Sequence, residues 1–60
     1  MNKIKSIKTE DGSRTLECRN FGYEFGLFII DNETKEERVL GYWKTLKRVN
    51  KSASIYGVQF

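Results

Sequence analysis

Residues 25–53, FGLFIIDNETKEERVLGYWKTLKRVNKSA, decide how this chain folds. The first seven positions are crowded with aromatic and β-branched residues, which favour a strand. Asp31-Asn32-Glu33-Thr34-Lys35-Glu36 reads as a turn, because Asp and Asn side chains bond their own backbone. Glu37 to Trp43 then pairs back as the next strand. Strict alternation puts Val39, Gly41 and Trp43 on one face and Leu40 and Tyr42 on the other. After Trp43 the apolar spacing switches from two to three-and-four. Leu46, Val49 and Ala53 share one face of a helix over residues 45–53, with Thr45 as its cap. A competing pattern starts a helix at Glu36, with Thr34 as cap and Val39, Trp43, Leu46 and Val49 as its stripe. Gly41 in mid-helix and the Tyr42-Trp43 pair argue against it.

Upstream, the strand pattern reaches back to Tyr23. Tyr23, Phe25, Leu27 and Ile29 share one face; Glu24, Gly26, Phe28 and Ile30 share the other. Large apolar groups on both faces mark a central strand that needs cover on both sides. Phe21-Gly22 is a bend or bulge. Residues 14–20, RTLECRN, alternate as a half-buried strand with Leu16 and Cys18 facing inward. Asp11-Gly12 is a turn signal. Residues 2–9 are Lys-rich, with Ile4 and Ile7 three apart, and read as an edge strand, since lysines blunt sheet edges. Downstream, Gly57 is a helix stop, and Val58-Gln59-Phe60 either forms a last short strand or lies against the core. The expected fold is α+β: one domain over 1–60, with an antiparallel sheet of three to four strands and one short helix packed on one face.

A chain of 60 residues buries only about 60% of the surface its unfolded form exposes. Disulfides, a metal or self-association usually supplement so small a core. There is one cysteine and no histidine, so neither an intrachain disulfide nor a zinc site can be assembled, and no cofactor is expected. Self-association is left. The lone thiol of Cys18 fits a reducing compartment, no apolar run approaches the roughly 18 residues of a membrane span, and the charged N-terminus lacks the apolar core of a secretory signal. The expected location is the cytoplasm. The net charge is +3, a mild bias. Lys, Asn, Ile, Phe and Tyr, the residues of AT-rich codons, make up 23 of 60 positions, a composition that points to an AT-rich bacterium or one of its phages.

Leu40-Gly41-Tyr42-Trp43-Lys44-Thr45-Leu46 resembles the last strand and helix start of AP2-type DNA-binding domains. There a Leu-Gly-x-aromatic-x-Thr run ends the sheet and opens the helix. Arm-binding domains of some phage integrases have a similar layout of three strands and a helix. The resemblance implies a sheet whose outer face reads the DNA major groove, chiefly through Arg and Trp. In this chain the central strand carries Glu24, Phe28 and Ile30 at those positions, and Arg14, Arg19 and Arg38 are the only strand arginines.

Enzymatic chemistry is not expected: no histidine, Gly-rich phosphate loop or metal-ligand cluster is present. Cys18, with no histidine to activate it, reads as a small core residue. Glu33, Glu36 and Glu37 read as a solvated turn. Two surfaces can bind. Lys44, Lys47, Arg48 and Lys51 form a basic helix face able to hold phosphates. Phe28, Ile30, Leu40 and Tyr42 form an apolar second sheet face that one short helix cannot also cover, and a homodimer through it is the simplest answer. The function expected is that of a small non-enzymatic phage-type protein that binds and blocks a host protein. DNA binding through an AP2-like module is the second choice, and no membrane association is expected.

Overall fold

The computed structural model describes residues 2–60. Four strands, β1 (Asn2–Lys8), β2 (Arg14–Asn20), β3 (Phe25–Asp31) and β4 (Glu37–Trp43), precede one helix, α1 (Leu46–Ala53). The strands form one antiparallel sheet in the order β1-β2-β3-β4, a simple meander. The chain is therefore an α+β protein, and residues 37–43 are strand rather than helix.

Each turn has a local cause. Thr9 and Asp11 lace the first: the Thr9 hydroxyl and the Ser13 N–H and hydroxyl all donate to the Asp11 carboxylate at 2.8–3.0 Å. In the second, the Phe21 N–H donates to the Glu24 carbonyl at 2.9 Å, closing a tight loop. Strand pairing starts only at Phe25, so Tyr23, expected within the strand, sits in this loop, 74% exposed. In the third, the Asp31 carboxylate accepts from the Glu33 and Thr34 N–H groups at 2.8 and 3.1 Å. Asn32 ties the first and third turns together: its side chain donates to the Gly12 carbonyl and accepts from the Thr15 hydroxyl, at 2.9 and 2.8 Å.

The Thr45 hydroxyl caps α1, accepting from the Arg48 N–H at 3.3 Å. The helix lays Val49 and Ala53 on Leu16, Cys18, Leu27 and Ile29 of β2 and β3 to make the core. A single 3-10 turn at Ser54–Tyr56 continues it and ends at Gly57. Residues 58–60 add no strand. Val58 is buried in the core, and the Asn50 side-chain amide clamps Phe60, accepting from its N–H at 2.7 Å and donating to its carbonyl at 3.1 Å.

Two bulges break strict alternation. Lys3 and Lys5 pair with the consecutive residues Arg19 and Cys18, leaving Ile4 as the extra residue of β1. Ile4 is 41% exposed there, whereas Ile7 packs against the core. Leu27 and Phe28 pair with Gly41 and Val39, leaving Leu40 as the extra residue of β4. Residues beyond a bulge change face. Val39 therefore shares the outer face with Phe28, while Leu40 packs against the helix-side core. This corrects the expected faces of β4: Leu40 does not join Phe28, Ile30 and Tyr42.

Candidate interaction surface

The outer face of the sheet is built on Gly26. A Cβ there would stand 2.7 Å from the Phe21 ring, 2.8 Å from the Phe28 ring and 3.1 Å from the Tyr42 ring. Only glycine leaves room for these three rings to meet. Their centroids lie 6.0–6.3 Å apart in tilted and edge-to-face arrangements, the preferred geometry for aromatic pairs. The Arg19 guanidinium lies 4.0 Å over the Phe28 ring centroid. From there it reaches Glu37 on β4 with two hydrogen bonds, at 2.7 and 3.2 Å, and its Nε donates to Glu17. Glu17 also accepts from the Ser6 hydroxyl at 3.0 Å. One polar chain thus crosses the face from β1 to β4 over the aromatic ring. Glu37, followed by Glu17, holds the Arg19 proton more tightly than usual, against the opposing effect of burial.

Phe28 is consequently only 8% exposed within a single chain. Phe28, expected to need a second copy to cover it, is instead covered within the chain by Phe21, which folds back from the β2–β3 loop, and by the Arg19 side chain. Neither was read from the sequence as cover. Ile30 is half-buried, and what stays open is Val39 and Tyr42, each 49% exposed. Glu37, expected in a solvated turn, is half of the clamp on Arg19.

The other surface lies on the far side of α1. Trp43, Thr45, Lys47, Arg48, Lys51, Ser52, Ser54 and Ile55 line an open groove of about 1020 Å³. Lys47, Arg48 and Lys51 point to solvent because Val49 and Ala53 face the core. Lys44 is exposed in the β4–α1 turn and lies outside the groove. Of the four basic residues expected together, three share one site. Sequence reasoning missed the apolar part of that site. Ile55, 80% exposed, lines it with the three cations, and so does half-buried Trp43. The Trp43 ring lies across Gly41, where a Cβ would meet it at 2.6 Å. None of Lys47, Arg48 and Lys51 forms an ion pair among the described residues.

Charge is segregated along the chain. Residues 38–60 hold five basic residues and no acidic one, whereas residues 1–37 hold eight acidic and six basic. The groove is therefore cationic with no internal counter-charge nearby in sequence. A smaller hollow lies between the first turn and the 3-10 turn, where Arg14 stands 5.3 Å over the Tyr56 ring. Its charges are mixed, with Glu10 and Asp11 beside Arg14.

Cys18 is fully buried, and burial pushes its thiol up, away from the reactive thiolate. No cluster of metal-ligating side chains occurs among the described residues, and no helix among them is long and apolar enough to cross a membrane. No protein-family model, curated protein or solved structure matches this chain.

Proposed function

We propose that this chain is a non-enzymatic binding protein that acts by docking on another protein and blocking it, with the basic groove beside α1 as its working surface. The observation that carries this reading is the contrast in charge. Arg19, a cation of the outer sheet face, is already held by Glu17 and Glu37. Lys47, Arg48 and Lys51 surround an open groove and form no ion pair among the described residues. Unpaired cations around exposed apolar surface are a common ground state for a binding site, because association supplies the missing counter-charge and covers the apolar patch. The AT-rich composition of the chain fits a phage or mobile-element protein directed at a host protein.

DNA reading by the outer sheet face has less support. A groove-reading arginine must offer its guanidinium to base edges, and Arg19 offers its own to two carboxylates. Affinity capture from bacterial lysate, with and without nuclease, tests the proposal. A protein partner that survives nuclease and is lost with Lys47→Glu/Arg48→Glu/Lys51→Glu supports it. A partner released by nuclease overturns it in favour of nucleic acid.

A further inference from the structure

We infer that the groove between Trp43 and Ile55 takes an acidic, amphipathic segment of the partner protein: carboxylates on Lys47, Arg48 and Lys51, and an apolar side chain on Ile55. This rests on the protein-binding reading and names the chemistry of the partner.

Three observations select this occupant. The first is charge complementarity. The three cations lie on two successive turns of α1 and meet no carboxylate of their own chain among the described residues. The second is Ile55. A branched aliphatic side chain left 80% exposed at the rim of a cationic site has nothing to offer a phosphate backbone, yet it matches a partner's Leu, Ile or Phe. The third is polar competition. The Thr45 hydroxyl already accepts from the Arg48 N–H, and the Ser54 hydroxyl already donates to the Lys51 carbonyl at 2.7 Å. Two of the groove's three hydroxyls thus serve the helix, and the cations are its charged anchors. The eight residues of α1 span about 12 Å, enough to lie beside about two turns of a partner helix.

Trp43 is the only tryptophan of the chain and lines the groove, so its fluorescence reports occupancy directly. The probes are three: a synthetic peptide with Glu and Leu at helical spacing, a glutamate-only peptide of the same length and charge, and a DNA duplex. The amphipathic peptide should bind about tenfold or more tighter than the glutamate-only one, through burial against Ile55. Ile55→Ser should erase that difference while leaving the glutamate-only peptide unaffected. Lys47→Glu/Arg48→Glu/Lys51→Glu should abolish both. Circular dichroism should be unchanged in each variant, since all four residues are exposed. Equal binding of the two peptides, or an Ile55→Ser variant that keeps the difference, overturns the inference. So does a duplex that binds more tightly than the amphipathic peptide, with a salt slope of about −0.9 per phosphate neutralised. Failure here is distinguishable from failure of the parent reading. A nuclease-resistant protein partner that is lost with the triple variant, together with equal binding of the two peptides, would sink this inference alone, whereas a nuclease-sensitive partner would sink both.

Discussion

On the helix side of the sheet Leu16, Cys18, Leu27 and Val49 are fully buried, whereas on the outer side Phe28 is, among the described residues, the one large apolar residue below a tenth exposed. The two faces are closed by different means. A secondary-structure element covers the first, through the buried Val49 and Ala53. The second is covered by side chains alone: two aromatic rings, Phe21 and Tyr42, and the flat guanidinium of Arg19 held by carboxylates. An arginine suits the second task because its stem and planar head cover apolar surface while its donors stay in contact with acids and water. A sheet of this size thus needs only one helix, provided the other face can be roofed by long side chains anchored at its edge strands.

The sharpest way to break this contrast is to remove a core residue on the helix side. Leu27→Ala should cost about 2–5 kcal/mol, because the cavity it leaves is walled by an element that cannot collapse freely. Chemical denaturation should show this as a lower midpoint with the slope retained. On the outer face the equivalent injury is overfilling. Gly26→Ala drives a methyl group into the Phe21 and Phe28 rings, and overpacking of this kind costs about 1–3 kcal/mol. The obstacles are aromatic side chains with free edges, so the rings can shift outward. The variant should expose Phe28 and bind more hydrophobic dye while α1 keeps its helical signal. A Gly26→Ala protein as stable as the parent would show that the rings do not rest on the backbone at Gly26.

The next step down is the clamp. Glu37→Gln removes one carboxylate from Arg19 but leaves Glu17 and the stacking on Phe28 intact. Glu37 is half-exposed, so the loss should stay below about 1 kcal/mol. It should also shrink at high salt, which screens exposed pairs. A loss that does not depend on salt would mean that the pair works by geometry rather than charge.

The helix side was legible in the sequence and the outer side was not, for a physical reason. The strands at residues 14–20 and 37–43, the turn at 31–36 and the Thr45 cap each follow from contacts within a few residues, and the sequence carries those directly. The outer face depends on register. Whether Val39 or Leu40 sits beside Phe28 turns on one bulge, and a one-residue slip moves every side chain to the opposite face. The Glu17–Arg19–Glu37 clamp joins residues 18 apart through that register, so composition could supply its members but not their meeting. The groove was half legible. The helical spacing of Lys47, Arg48 and Lys51 announced the cations, while the exposure of Ile55 depended on the 3-10 turn that follows α1.

The smallest effect belongs to the end of the sheet that both faces share. There Asn32 joins the first and third turns, and Asp11 gathers the first. The Ser13 N–H, then the Thr9 and Ser13 hydroxyls, hold the Asp11 carboxyl at about 2, below its ordinary 3.8. Asp31 is lowered in the same direction by the Thr34 and Glu33 N–H groups. A carboxylate whose folded pKa lies below its unfolded one adds stability that is complete above the unfolded value and is lost as pH falls through the folded one. The stability supplied by these turns is therefore constant at neutral pH and fades from about pH 4 down to about pH 2. Asp11→Asn keeps an acceptor oxygen for Ser13 but cannot ionise. The parent should melt higher than the variant at neutral pH, and the two melting curves should converge as the parent's Asp11 protonates. A gap that stays the same at every pH would show that the turn holds by geometry and owes nothing to the charge. Because Asn32 couples the turns serving both faces, acid should broaden the Phe28 ring and Val49 methyl resonances together. Broadening confined to Phe28 would show instead that the side-chain roof gives way while the helix-covered core stands, which would make the two faces separate units of stability.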